Sequence, residues 1–448
     1  WLLANHPDLT PASILGLTFT RKAAGELGDR LRERIRLLSR EMPQMRERLD
    51  EDPVALTYNS FAERIVSEHG MRIGIDPDFS MLSEAGALDM MTQIVEAWPT
   101  DLDEELRPID AVPQVLHLAG ELAEHGFTVE RAREALEELG RELSQVGDTN
   151  AEARSLLRAN RRRLAFLDPI ATYQQRKREM GVLDFSDQLV LATRIVREAP
   201  AVRAALREEF RAVLLDEFQD TSVIQMELLS TLFGDHAVTA VGDPNQAIYG
   251  WRGASASSLE TFLDRFQSGA PEAGQTLTLS TAWRNDVSIL DAANRVAAPL
   301  REVASYQQGK DALKAQSPVL VPRKGAGQGT VEIAYTQVYE DALAATVDFV
   351  KRVRSQATKD GKRRTVAVLS RRRKDFPFID AALREAGIPT EIVGLGGLLD
   401  QPAVQDVRAA LELAYDVAAS PWLARLLAGI DLGATDLIAL GDRARALA

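Results

Sequence analysis

The sequence predicts an α/β protein with a long all-helical stretch through its middle. Three observations carry this. Near the start, short apolar runs end in polar turns and lead into helical spacing of Leu and Ile. Between about residues 80 and 208 the strand signal disappears. It then returns at 211–216, with turn residues close behind.

Residues 14–19 read as a first strand, and Ala23 through Leu38 as its helix. A second unit begins at Val54 to Tyr58, with Ser60 as the expected N-cap of the helix after it. Segments such as "VERAREALEELGRELSQV" (129–146) are charged, with helical period. Further strands are expected at 211–216, 237–242, 276–280, 331–335 and 365–369, the last two suggesting a second α/β unit. The stretch 317–329 carries Pro and Gly and reads as a loop, and the last 30 or so residues read as helical. In "LDFSDQL" (183–189), Asp184 and Asp187 are expected to cap a helix and are given no chemistry.

At 448 residues the chain exceeds one ordinary core and suggests about two to four domains. A hydrophobic content of 45% with 27% charged residues is ordinary for a globular protein. No stretch approaches the roughly 20 apolar residues of a membrane span. The start, Trp1 to Ala4, lacks a basic n-region and a cleavage site, so it does not read as a signal peptide. It also lacks Met, which suggests an internal piece of a longer chain. With no cysteine, disulfides, thiolate metal sites and Cys nucleophiles are excluded, and the five histidines have no ligand spacing. The net charge of −13 argues against a uniformly basic coat but leaves room for a local basic groove.

The chemistry concentrates at "VLLDEFQDTS" (213–222). There an apolar run ends in Asp216 and Glu217, the place where a nucleotide enzyme holds Mg²⁺ and activates water. On spacing alone the pair is equally consistent with a carboxylate-capped loop. The phosphate-cradling GxxxxGK[ST] is absent: Gly309-Lys310 and Gly361-Lys362 lack the upstream Gly, and "GLGG" (394–397) reads as a turn. About 20 residues beyond the acid pair, "AVGDPNQAIYGWRGAS" (240–255) gathers Gln246, Tyr249, Trp251 and Arg252. Gln can orient water or touch a γ-phosphate, and aromatics beside Arg suit base stacking. A hairpin with packed aromatics would explain the Tyr and Trp alone.

These residues resemble the motifs of superfamily 1A DNA helicases, the UvrD/Rep/PcrA group. "LTFTRKAAGEL" (17–27) is similar to motif Ia, "TYNSFA" (57–62) to motif Ib, and "LLDEFQDTS" (214–222) to motif II. "VGDPNQAIYGWRGAS" (241–255) is similar to motif III, and "LSTAWRN" (279–285) to motif IV. The segment "VGLGGLLDQPAVQDV" (393–407) looks most like actinobacterial UvrD-like proteins, including AdnB-type motors.

The resemblance implies RecA-like P-loop NTPase core domains with an inserted all-helical domain. Residues 1–66 and 207–282 would form domain 1A, 67–206 helical domain 1B, 283–412 part of domain 2A, and 413–448 the start of 2B. ATP would bind between the two core domains and single-stranded DNA across their tops. Asp216 would hold Mg²⁺, Glu217 polarise the attacking water, Gln246 sense the γ-phosphate, and Arg284 reach it from the second core domain. Trp283, where relatives usually have Tyr, would stack on the adenine. Phe19, Thr20, Arg21, Thr57, Tyr58, Tyr249, Trp251 and Arg252 would line the DNA groove. Asn59 stands where relatives often have His, and Arg21 where Asn is frequent.

The implied activity is ATP-driven movement on single-stranded or partially duplex DNA, 3′ to 5′, in a cytoplasmic, nucleoid-associated protein. A nuclease or a second helicase-like subunit is an implied partner. The phosphate loop is expected within roughly 20 residues before Trp1, and motifs V and VI beyond Ala448, so little ATPase is expected of this stretch alone. Two other readings compete: the motor of a helicase–nuclease repair complex, and a non-catalytic DNA-binding scaffold. A nuclease signature after residue 448 would favour the first, and an upstream GxxxxGKT would exclude the second.

Overall fold

The structure, a computed structural model, describes the chain except for 77, 100–101, 103–105, 146–150, 251–252, 255–257, 267–273, 307–316, 357–360, 362, 394–401, 416–419, 429–433 and 448. It divides into two compact units, Trp1–Gly329 and Thr330–Ala448.

The first unit opens with helix α1 (Leu2–Asn5), strand β1 (Ile14–Thr18), α2 (Arg21–Glu41), β2 (Val54–Thr57) and α3 (Tyr58–His69). All five residues of β1 are buried, as a central parallel strand covered on both faces requires. Gly16 admits the helix above it: a Cβ there would lie 2.9 Å from a methyl of Leu27. The Thr20 hydroxyl caps α2 by accepting from the Ala23 N–H at 3.1 Å. The cap of α3 is Thr57 rather than the expected Ser60. Thr57 is the last extended residue, and its Oγ1 accepts from the Ser60 N–H at 3.0 Å, which moves the helix start forward to Tyr58.

A helical body comes next: β3 (Ser80–Met81), α4 (Glu84–Glu96), α5 (Pro108–Glu124), α6 (Val129–Gln145), α7 (Ala151–Met180) and β4 (Val182–Leu183). Helices α4 to α7 pack around a hydrophobic core of their own, centred on Met91, Val115, Leu167 and Ile170. The short strands β3 and β4 pair in parallel, so this body's entry and exit lie side by side. Asp184 caps helix α8 (Phe185–Glu198), as expected, and the structure adds a reciprocal bond to Asp187 that completes a capping box.

The chain then returns to the sheet through α9 (Pro200–Glu209), β5 (Ala212–Leu215), α10 (Val223–Phe233) and β6 (Val238–Ala240). Four parallel strands stand in the order β2-β1-β5-β6. Phe61, Ile65, Ile195, Leu206, Phe210 and Phe233 form the core beneath them. Helix α11 (Phe262–Phe266), β7 (Thr281–Ala282), α12 (Val287–Tyr306) and β8 (Val321–Pro322) complete the unit, with β7 and β8 paired. The strand expected at 276–280 therefore forms only at 281–282, and its partner falls inside the segment expected as a loop.

The second unit holds α13 (Tyr339–Ser355), α14 (Phe376–Glu385), α15 (Pro402–Tyr415), α16 (Ser420–Ala428) and α17 (Ala434–Leu447). The strands expected at 331–335 and 365–369 do not form among its described residues. Apolar alternation makes a strand only where a ladder partner and a covered face exist. Ile333, Tyr335 and Leu369 instead stand more than nine-tenths exposed. The turn expected over 394–397 lies outside the described residues. No helix among the described residues is long and apolar enough to cross a membrane.

Candidate active site

The direction of strand addition reverses between β1 and β5. In an open parallel sheet the crevice at the carboxyl ends of such a pair is where ligands bind. Asp216 and Glu217 stand at that end of β5, and Phe19 and Thr20 at that end of β1. The Asp216 N–H donates to the Leu17 carbonyl at 2.8 Å, which locks the two strand ends together.

Glu217 is the only non-glycine with positive φ among the described residues, at φ 51° and ψ 40°. A left-handed residue with a Cβ is strained by roughly 1–2 kcal/mol. Phe218, the next residue, holds that strain in place. Its N–H donates to the Val241 carbonyl at 3.0 Å, and its ring is fully buried, edge-on to Phe262 at 5.3 Å. Glu217 stays exposed, while Asp216 is half-buried. Burial first, and then the neighbouring Glu217 charge, hold the Asp216 carboxyl above its ordinary value. Neither acid has an ion-pair partner among the described residues. Two adjacent uncompensated carboxylates suit a hard cation that takes one or two protein oxygens plus phosphate and water. No all-protein cage of three or more acids or histidines exists among the described residues.

Gln219 links this pair to the next loop. Its Nε2 donates to Glu217 Oε2 at 2.8 Å, and its Oε1 accepts the Asp243 N–H at 3.1 Å. Gly242 makes room for that amide, since a Cβ there would lie 2.5 Å from Gln219 Oε1. Gln246 then donates to Asp243 Oδ2 at 2.8 Å, and Ser317 also donates to Asp243.

Of the residues expected to face DNA, two meet as an aromatic pair beside the strand ends. Phe19 and Tyr249 stack with ring centroids 4.5 Å apart. Backbone amides of Ile248 and Tyr249 donate to the Asp220 carboxylate, whose burial holds its carboxyl above the ordinary value. Those two bonds fix the turn carrying Tyr249. Phe19, Arg21, Thr57 and Tyr58 line a groove of about 800 Å³ that runs on to Tyr173 and Lys177. Arg21 is exposed and has no hydrogen-bond or ion-pair partner among the described residues, whereas Thr20 and Thr57 spend their hydroxyls on helix caps. Tyr58 is 3% exposed, and its hydroxyl donates to the Asp216 carbonyl at 2.9 Å, so it sits inside the fold beneath the acid pair.

Trp283 and Arg284 are exposed after β7, and no hydrogen bond or ion pair joins them to Asp216 or Glu217 among the described residues. Trp251 and Arg252 lie outside the described residues. Two features escaped the sequence reading. One is Gln219, whose only signal was a polar residue in a buried turn. The other is Lys177, almost fully buried and 2.6 Å from both Asp184 and Asp187.

Comparison with known proteins bears on this arrangement. The chain is similar to DNA helicase II of Escherichia coli K12, at 25% identity over 416 residues. That covers 92% of this chain and 49% of the relative. It is 24% identical to the ATP-dependent DNA helicase PcrA of Staphylococcus aureus Mu50 over 420 residues, 92% of this chain and 48% of that protein. The PcrA of Leuconostoc citreum is 26% identical over 295 residues, 66% of this chain and 34% of that protein. The chain spans about half the length of the curated relatives that it matches along most of its length. The profile of the UvrD/REP helicase N-terminal domain matches residues 2–267, more than half of the chain, which holds the four-stranded sheet, the acid pair and the Phe19–Tyr249 stack. The chain belongs to the UvrD/REP helicase family.

Proposed function

We propose that the full-length protein is an ATP-dependent DNA helicase or translocase that moves 3′ to 5′ on single-stranded DNA. The observation that carries this reading is the pairing of two sites on one sheet end. An uncompensated acid pair at the switch point is tied by Gln219 and Asp243 to the loop that also carries Tyr249 of the aromatic stack. Hydrolysis at one place and base stacking at the other would thus share one loop.

In this reading residues 1–66 and 207–282 form a RecA-like domain, with 67–206 inserted as a helical domain. Residues 283–412 contribute to a second RecA-like domain, and 413–448 begin another helical one. Asp216 would hold Mg²⁺, which, when bound, neutralises charge developing on the phosphates. Glu217, exposed on a rigid strand end, orients the attacking water and takes its proton. Gln246 senses the γ-phosphate, Arg284 supplies positive charge to it, and Trp283 stacks on the base. Phe19 and Tyr249 offer a sequence-tolerant platform for bases, and Arg21 a phosphate contact.

The test is DNA-stimulated ATP hydrolysis by the full-length protein and by its Glu217→Gln variant. Activity in the wild type that falls by about 100-fold or more in the variant, with ATP still bound, supports the reading. A wild-type protein that binds single-stranded DNA but hydrolyses no ATP would leave a DNA-binding scaffold as the better account.

A further inference from the structure

We propose that Gln219 is a positioning residue for hydrolysis, a two-ended amide strut that fixes the Glu217 carboxylate against the 242–246 loop. The inference rests on the reading of Glu217 as the acid that orients water.

Three observations carry it. First, Gln219 is 1% exposed, yet its Nε2 bonds to a carboxylate on the surface. Water could satisfy an exposed carboxylate without help, but the buried amide needs a partner, so the bond ties the position of the acid to a side chain held by the fold. Second, Glu217 occupies a left-handed backbone conformation. A carboxylate leaving such a backbone on a flexible side chain needs an outside partner to hold one rotamer, and Gln219 is that partner. Third, the facing loop is shaped around the same amide. Gly242 has no side chain where a methyl would sit 2.5 Å from Gln219 Oε1, and the next N–H, of Asp243, donates to that oxygen.

Asp243 is also where Gln246 is anchored, at 2.8 Å. Three hydrogen bonds in series therefore run from Gln246 to Asp243, from Asp243 to Gln219, and from Gln219 to Glu217. A shift of Gln246 on meeting a ligand reaches the Glu217 carboxylate through groups that are buried or paired. Gln219 touches no reacting atom in this scheme. It acts by keeping Glu217 in one place, and a misplacement of about 1 Å costs about 100-fold in rate.

The experiment uses the full-length protein with Gln219→Leu, which keeps the bulk and removes both ends of the strut. It also uses Gly242→Ala, which keeps the amide and displaces it. Amide hydrogen exchange at Asp243, without nucleotide, reads the strut directly. We expect about 10-fold faster exchange in both variants, the size of one lost hydrogen bond. In steady-state assays at saturating DNA, kcat should fall by about 100-fold while KM for ATP stays within about 2-fold. Placed on Glu217→Gln, the Gln219→Leu change should cause no further loss, because residues acting as a unit are non-additive.

Unchanged exchange at Asp243 overturns the strut. So does an active wild type whose Gln219→Leu and Gly242→Ala variants keep their kcat. A wild type with no DNA-stimulated hydrolysis overturns the parent reading instead, and the strut is then judged by the Asp243 amide alone. Should Gln219→Leu fail to fold, Gly242→Ala decides between the same two outcomes.

Discussion

The Tyr58 hydroxyl donates to the Asp216 carbonyl across 158 residues of sequence, at 2.9 Å. The first residue of α3 thereby props the end of β5, below the point where the chain turns into its left-handed residue. The phenol is buried, and that burial drives its ionisation far above the ordinary range, so it remains a donor at any working pH.

Tyr58→Phe keeps the ring and removes the donor. Loss of one such bond should cost about 1 kcal/mol, read as a lower urea midpoint with unchanged slope. Hydrolysis should fall more than stability accounts for, because the carbonyl belongs to the residue proposed to hold the metal. An unchanged midpoint would show that the bond contributes nothing.

Phe19 and Tyr249 make a second prediction. If their stack is a base platform, Phe19→Ala or Tyr249→Ala should weaken binding to an oligo-dT strand by about 1–3 kcal/mol each. Arg21→Ala should weaken it too, and lower the slope of log affinity against log salt by about 0.7. Fluorescence anisotropy over a salt series separates the two kinds of contact. Affinity that survives loss of both rings places the DNA elsewhere.

Much of the first unit was legible because fully buried parallel strands read as continuous apolar runs. That is why β1 and β5, and the acids ending β5, were readable. The sheet order and the Phe19–Tyr249 stack were not, since both depend on which strands become neighbours. Gln219 was unreadable for a related reason: its two partners meet only after the turn at Glu217 closes. Ile333, Tyr335 and Leu369 have strand-like alternation, yet local pattern does not supply a pairing partner. Ser60 was misread as a cap by a margin of three residues, where the Thr57 hydroxyl was the better-placed acceptor.

Trp283 and Arg284 test the nucleotide side. Trp283 is 77% exposed, an open face free to stack. Trp283→Ala should raise KM for ATP with kcat little changed, and Trp283→Tyr should restore it. Arg284→Ala should lower kcat by about 1,000-fold if the guanidinium serves the γ-phosphate. Equal kinetics in all three variants would remove both residues from the reaction.

Lys177 gives the last prediction, one of pH. Its ammonium lies 2.6 Å from Asp184 and 2.6 Å from Asp187, above the Tyr173 ring at 4.7 Å. Helix α7 belongs to the helical body and α8 packs on the sheet core, so this cluster ties one core to the other. Burial opposes the charge on both acids. For Asp184, Lys177 and hydrogen bonds outweigh it and hold the carboxyl below its usual value; for Asp187 burial and the Asp184 charge win, and its carboxyl sits above. A lowered carboxyl loses its stabilising contribution as pH falls through its folded value, and a raised one does the reverse, so the wild type's two effects partly cancel. Lys177→Met removes the cation and leaves two like charges in a confined space, at a cost of about 3 kcal/mol near neutrality. Both carboxyls then titrate above their unfolded values, and protonation relieves the repulsion as pH falls. Urea unfolding of wild type and variant at about pH 7.5 and about pH 5 should show the gap narrowing at the lower value. A gap of equal size at both would mean that Lys177 contributes through the packing of its stem and not through its charge.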